Sequence, residues 1–293
     1  MVDGRRHEPA GITGPLVGAV AALLVAIASA VVIPELDEKG RPSPMAGPGP
    51  MIDPITIDGP LAGREEIARV AGVEGRTAPT IVAHARTDDV VARAAPTEQA
   101  GVVAELANPT DRGGPLVFRA VGPPLDGWLE VQLPVRPNGT TGWIPLDDVE
   151  LSVNPYRVEV DADAHRLTIY HHGRVKLSTA VAIGTGDTPT PLGEFYLVEL
   201  LRPRDPNGIY GSYAYGLSGY SDTLQSFNGG NGVIGIHGTN RPDLLGQDVS
   251  HGCIRVANPT IEGMARFLPL GTPVSIERSE RAAAGPAVGN DRA

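Results

Sequence analysis

Cysteine is nearly missing from this chain. Cys253 is the single one in 293 residues, so no disulfide can form within it and any core must hold by packing. Aromatics are scarce as well, at 4% of the residues, which leaves Ala, Val, Leu and Ile to supply most apolar contact and Tyr most of the rings. Lysine occurs only at Lys39 and Lys176, and the formal net charge is −10. Without a Lys/Arg cluster to neutralise phosphates, the composition argues against nucleic acid as a partner. What is abundant is Gly and Pro, 37 and 28 residues, a balance that favours turns, short strands and linkers over long helices.

One long apolar run stands out against this background. No charge falls between Glu8 and Glu35, and Ile12 to Ile33 would form about 33 Å of helix, enough for a hydrocarbon core of about 30 Å. Arg5 and Arg6 precede it and predict a cytoplasmic amino terminus (1–11), a transmembrane anchor (12–33) and an extracytoplasmic remainder. Ala28-Ser29-Ala30 offers the small-residue pattern of signal-peptide cleavage, so a secreted or periplasmic product is the alternative. Either way, a lone thiol in an exported chain needs a reason.

Residues 34–79 are rich in Pro and Gly and read as a spacer. The character changes at Thr80. Short runs at Thr80–His84, Val90–Arg93, Leu116–Arg119 and Trp128–Gln132 alternate with Gly/Pro/Asp clusters and predict antiparallel strands in a module spanning 80–152. Asn138-Gly139 predicts a hairpin turn, and the segment Gly142 to Leu151 resembles the closing part of bacterial SH3-like barrels. From 156 to 277 the pattern is again mainly β. Strands are expected at Arg157–Val160, Arg166–Tyr170 and Thr179–Ile183, with His171-His172-Gly173-Arg174 as a tight connection. Adjacent strand residues point to opposite faces, so the two histidines are poor joint metal ligands. One helix is expected, capped by Asn258 with Pro259 in its first turn and Ile261, Met264, Ala265 and Leu268 on one face. Gly271 to Glu277 reads as a last strand, and 278–293 has no core-forming pattern.

The densest chemical signal is Ile234-Gly-Ile-His-Gly-Thr-Asn240 followed by Ser250-His-Gly-Cys-Ile-Arg-Val256, which holds the only cysteine and two of seven histidines. A thiol of ordinary pKa, about 8.5, is mostly protonated at neutral pH, so a nucleophilic Cys253 wants an imidazole beside it. His237, on a preceding strand, and His251, two residues away, are both candidates. Gly252 frees the backbone so that amides beside the nucleophile can face an oxyanion. A zinc site built on His237, His251 and Cys253 would lack a clear fourth ligand, so neither metal nor cofactor is expected.

These residues resemble the signature of the L,D-transpeptidase catalytic domain (YkuD) family, in His237-Gly238-Thr239 and Ser250-His-Gly-Cys-Ile-Arg255. Gly184-Thr-Gly186, Thr188 to Phe195, the Asn258 helix and Gly271-Thr-Pro-Val274 resemble further parts of that domain, so the likeness covers roughly Tyr156 to Glu277. It implies a β-sandwich with one or two short helices and an acyl-enzyme mechanism on peptidoglycan tetrapeptide stems, cleaving between the third-position diamino acid and terminal D-Ala. Cys253 would be the nucleophile, His237 the proton carrier, the Gly238 carbonyl its orienting group, and His251 secondary. Arg255 and Ser250 fall at positions suited to the polar network or substrate.

Phe195 to Val233, with Tyr210, Tyr213, Tyr215 and Tyr220 among glycines, reads as a lid whose Tyr210 and Tyr213 could pack on the stem. The acceptor of the acyl group, whether a second stem's amine, water or a free D-amino acid, stays open, as does a non-catalytic wall-binding role. A sortase fits the anchor and the Cys/His/Arg set but not the Ser-His-Gly-Cys context. A papain-like hydrolase would place cysteine before histidine.

Overall fold

The computed structural model describes residues 78–226 and 230–279. The expected anchor, nearly all of the spacer and the tail from 280 onward lie outside them. Among the described residues no helix is long and apolar enough to cross a membrane.

The first seven strands form one antiparallel sheet: β1 (Thr80–Ala85), β2 (Asp89–Arg93), β3 (Val102–Ala107), β4 (Val117–Ala120), β5 (Trp128–Gln132), β6 (Thr141–Pro145) and β7 (Val149–Asn154), in the order β3-β2-β6-β5-β4-β1-β7. Alternation drives it, because Val90 and Ala92 of β2, Leu129 and Val131 of β5 and Ile144 of β6 all turn to one buried cluster with Phe118. β3 is the strand that sequence reading misses. It lies at the sheet edge with Val102 and Val103 exposed, so it lacks the one-sided burial that an alternating pattern reports. Asn138-Gly139 does sit at a bend, with Gly139 at φ +82°, but in an eight-residue connection between β5 and β6 rather than a two-residue hairpin.

The second half continues with β8 (Tyr156–Asp161), β9 (Arg166–His171), β10 (Arg174–Ala180), β11 (Ile183–Gly184), β12 (Gly193–Leu201), β13 (Ala214–Tyr220), β14 (Val233–His237), β15 (Asp248–Ser250), β16 (Ile254–Arg255), helix α1 (Asn258–Met264) and β17 (Pro273–Glu277). Eight of these strands make a mixed sheet in the order β10-β9-β8-β17-β12-β13-β14-β16, while β11 and β15 pair in parallel beside it. Val158, Leu167, Ile169, Ile234 and Ile236 from the sheet bury with Ile261 and Met264 of the helix in one core. His172 and Gly173 take φ +48° and +72°, the pair of positive values a two-residue turn between β9 and β10 requires. The strand expected at Thr179–Ile183 is instead the end of β10 and the start of β11, broken at Val181 and Ala182.

Two further expectations are corrected. The Tyr-rich segment 195–233 is not a single lid, since it contains β12 from Phe195 onward and the whole of β13, two strands in the middle of the sheet. Its glycines are there for close packing: a Cβ at Gly219 would collide with the Phe195 ring, and one at Gly216 would lie 2.6 Å from the Glu199 side chain. Tyr215 is accordingly core, its hydroxyl shared between the carbonyls of Met264 (3.2 Å) and Leu268 (2.9 Å). Tyr220 is a tie to the first sheet, donating to the Pro134 carbonyl at 2.7 Å under the Arg136 guanidinium. Asn258 does not cap α1 either. The residue before the helix is Ala257, without a side-chain cap, and Asn258 Oδ1 accepts from the Thr239 amide at 3.0 Å, beside the expected catalytic residues.

The two sheets meet at Tyr196 of β12, which is fully buried against Val82 and Val117 of the first sheet. Its hydroxyl is shared between the carbonyls of Val117 (3.3 Å) and Gln132 (3.1 Å), and Gln132 Nε2 returns a bond to the Glu194 carbonyl at 2.6 Å. Asn154 Nδ2 adds a bond to Thr272 Oγ1 at 2.9 Å, and Asn138 both donates to the Tyr220 carbonyl and accepts from its amide, each at 2.8 Å.

Candidate active site

Cys253 occupies the turn between β15 and β16, and His237 is the last residue of β14. β14 and β16 run parallel, with Ile236 opposite Ile254 and His237 opposite Arg255, which carries the thiol and the imidazole to the same end of the sheet. Both line a cleft of about 280 Å³ together with Tyr210, Tyr215, Gly216, Gly235, Glu199 and Arg112. The turn is built for its place. Gly252 has φ +111°, a value only glycine holds without strain, and a Cβ there would press within 2.9 Å of Ile234 Cδ1. Ser250 Oγ donates to the Cys253 carbonyl at 2.6 Å and accepts the Gly252 amide at 3.1 Å. Thr190 Oγ1 donates to the Gly252 carbonyl at 2.8 Å and accepts the Gly184 amide at 2.9 Å, tying the turn to β11. Ser250 thus shapes the nucleophile's loop from a buried position. The Gly252 N–H is already spent within that loop.

His237 is 4% exposed, and its Nδ1 lies 2.6 Å from the Gly238 carbonyl. A carbonyl can only accept, so Nδ1 carries the proton and Nε2 is left as the basic nitrogen. Burial lowers the His237 pKa to about 4, the Gly238 carbonyl raises it in part, and Arg255 lowers it further. Burial also pushes the Cys253 thiol up, while the Gly235 amide and Arg255 pull it back down. The resting pair at neutral pH is therefore thiol and neutral imidazole. Edge-on against the imidazole stands the Tyr210 ring, 5.0 Å between centroids.

The other expected residues separate. His251 is exposed, and the Gly252 turn breaks the strand alternation that would have put it on the Cys253 side. Tyr213 does not line the cleft, since its hydroxyl accepts from Arg202 at 2.6 Å and its ring packs on the core. Arg255 is partly buried, with Nε enclosed and without a hydrogen-bond partner.

Residues 155–276 match the L,D-transpeptidase catalytic domain (YkuD) family. The Bacillus subtilis protein YkuD, assigned as an L,D-transpeptidase, is 39% identical over 124 residues, 42% of this chain and 67% of that protein. A second Bacillus subtilis protein with the same assignment, YqjB, is 33% identical over 47% of this chain and 79% of its own length. The chain belongs to the L,D-transpeptidase catalytic domain family. Among solved structures, that of Bdellovibrio bacteriovorus Bd1075 is 26% identical over 42% of this chain, with a TM-score of 0.32, and the match covers 47% of that chain.

Parts of this L,D-transpeptidase-family cleft were beyond reach of the sequence. Glu199 and Arg112 form an ion pair at 3.6 Å in its wall, though 87 positions separate them, Glu199 lying in β12 and Arg112 in the β3–β4 connection. Asn258 is the other. Its Oδ1 lies where a Cβ on Gly211 or Gly238 would fall, so both glycines are needed for the chain to pass the His237-Gly238-Thr239 turn.

Proposed function

We propose that this cleft carries out acyl transfer on peptidoglycan peptide stems, with Cys253 as nucleophile and His237 as proton carrier. The observation that carries the reading is the Nδ1 contact of His237 with the Gly238 carbonyl, which leaves Nε2 as the basic nitrogen in the cleft that holds the thiol. In the first half-reaction Nε2 takes the thiol proton and sulfur attacks the carbonyl carbon between the third-position diamino acid and D-Ala. The C–N bond breaks as the imidazolium returns the proton to the departing D-Ala amine, leaving a thioester. In the second, the side-chain amine of another stem attacks the thioester, a C–N bond forms, the C–S bond breaks, and the amine's proton passes through His237 back to sulfur. The product is a cross-link between two stems, and water in place of the amine would give carboxypeptidase action instead.

With the Gly252 N–H held by Ser250 Oγ, the amide of Cys253 is the oxyanion donor at this turn. Arg255 favours thiolate over thiol at Cys253. His251 has no place in the proton path.

The same reading takes the first sheet as an SH3-like module and residues 12–33 as a membrane anchor that presents the cleft to the wall from outside. The alternating strands of 80–154 and the charge-free run between Glu8 and Glu35 support it.

Mass spectrometry of the chain incubated with a carbapenem and with tetrapeptide muropeptides tests the chemistry. Wild type is expected to gain one covalent adduct and to release D-Ala, and Cys253→Ala to do neither. His237→Ala is expected to lose turnover while Cys253 stays alkylatable. A wild type that forms no adduct and releases no D-Ala refutes the assignment.

A further inference from the structure

Three strands lay a bare floor beside the nucleophile. Glu199 of β12 pairs with Gly216 of β13, and Gly216 with Gly235 of β14, so the three residues form one row across the sheet. Paired residues in neighbouring strands share a face. Two of the three have no side chain, and Glu199 fills the space over Gly216, where a Cβ would come within 2.6 Å of its Oε1. At the far end of the row, Gly235 lines the same cleft as Cys253. The Glu199 position is thus two interstrand spacings from Gly235, about 10 Å, the scale of an extended diamino-acid side chain plus a carboxylate arm.

The carboxylate is poorly served by the protein itself. Its side chain is 12% exposed, and its ion-pair partner Arg112 approaches only to 3.6 Å from a side chain that is 46% exposed. Burial pushes the Glu199 carboxyl up, and Arg112 pulls it part of the way back. Arg112 sits in the β3–β4 connection, a loop held by Asn108, which accepts the Leu116 amide at 3.1 Å and donates to the carbonyls of Ala85 (3.2 Å) and Thr87 (3.0 Å). A fixed loop of one module therefore places a cation over the acidic wall of the other. Arg112 also lies outside the 155–276 segment that carries the family match.

We propose that Glu199 and Arg112 form a subsite for the zwitterionic end of a diamino acid in the donor stem, Glu199 binding its ammonium and Arg112 its carboxylate. This rests on the acyl-transfer reading above and adds to it a preference among stems. Opposite charges held side by side in the wall complement a free amino-acid end, which carries both charges on neighbouring atoms. A lysine side chain, which has the ammonium alone, satisfies only half of the pair.

The test uses the full chain in detergent and four tetrapeptides, carrying meso-diaminopimelate, meso-diaminopimelate amidated at its free carboxyl, lysine, or N-acetylated lysine at position three. D-Ala release gives kcat/KM for each. Wild type is expected to favour free meso-diaminopimelate over the amidated form by roughly tenfold to a hundredfold, the range of one hydrogen bond to a charged group. Arg112→Gln should erase that preference, with a much smaller change in turnover of the lysine peptide than of free meso-diaminopimelate. Glu199→Gln should lower turnover of every peptide with a free side-chain amine and spare the N-acetylated one.

Equal loss on all four peptides would make the pair a strut between modules and overturn the subsite, as would a wild type that does not discriminate. Carbapenem adduct formation by each variant reports an intact fold and nucleophile. A variant that fails it is replaced by Arg112→Lys or Glu199→Asp, which must then show the same selective pattern. No D-Ala release from any peptide and no adduct in wild type would instead refute the acyl-transfer reading itself.

Discussion

His237 and Arg255 stand opposite one another in the parallel pairing of β14 and β16, and Arg255 follows the nucleophile by two residues along the chain. The guanidinium lowers the imidazole's affinity for a proton and the thiol's as well. It therefore favours the thiolate while resisting the imidazolium that forms beside it. Arg255→Gln is expected to move the pH midpoint of Cys253 alkylation upward, because it removes a nearby positive charge that favours the thiolate. Iodoacetamide labelling rates measured across pH read this directly. An unchanged midpoint would confine Arg255 to contact with substrate.

Burial of His237 makes the fold sensitive to acid. Its pKa is lowered from 6.5 to about 4 in the folded chain, so the unfolded chain binds the proton first. The stability that depends on a neutral His237 is whole above about pH 6.5 and is lost progressively as pH falls toward 4, by at most about 3 kcal/mol. Urea midpoints at pH 7.5 and 4.5 should therefore separate, and His237→Gln should narrow the gap. The acid limb of turnover should also lie well below the pKa of an ordinary histidine.

Thr190 holds the nucleophile's turn to β11 through two buried hydrogen bonds. Thr190→Val removes the donor to the Gly252 carbonyl and the acceptor for the Gly184 amide, leaving both unsatisfied, and is expected to cost about 2–3 kcal/mol. Thr190→Ser keeps the hydroxyl and should restore most of it. Thermal denaturation of the pair of variants decides whether the hydroxyl or the methyl matters.

Gly252→Ala combines strain at φ +111° with a collision against Ile234. Such a backbone conformation costs an alanine on the order of 1–3 kcal/mol, and the turn relieves it by moving Cys253. Acylation by a carbapenem should slow by at least tenfold although the thiol is present. A full rate would mean that the position of the turn is not what sets reactivity.

How far the sequence exposed all this depended on the range of the interactions. Arg166–Tyr170 was legible because Leu167 and Ile169 alternate with outward residues, and the turn at His172-Gly173 because its conformation is local. Cys253, His237 and the Gly238 carbonyl were legible because they lie in two short motifs. β12 and β13 were hidden by Gly216 and Gly219, which resemble loop residues until the side chains that need their space, Glu199 and Phe195, are seen beside them. Asn258 reads as a helix cap from its neighbours, yet its oxygen serves a turn 19 positions earlier. Arg112 has no local signal, because its partner is in another sheet.

The Tyr196 joint has a consequence for how this protein melts. A fully buried ring whose hydroxyl bonds carbonyls of the neighbouring sheet cannot be exposed by one sheet without disturbing the other. The two sheets should therefore unfold together in a single calorimetric transition. A molecule held in the cleft then raises the melting temperature of strands it never touches, by the same mass action that stabilises the cleft itself. Slower amide exchange in β4 and β5 on occupancy of Cys253 would be the signature of that shared fate.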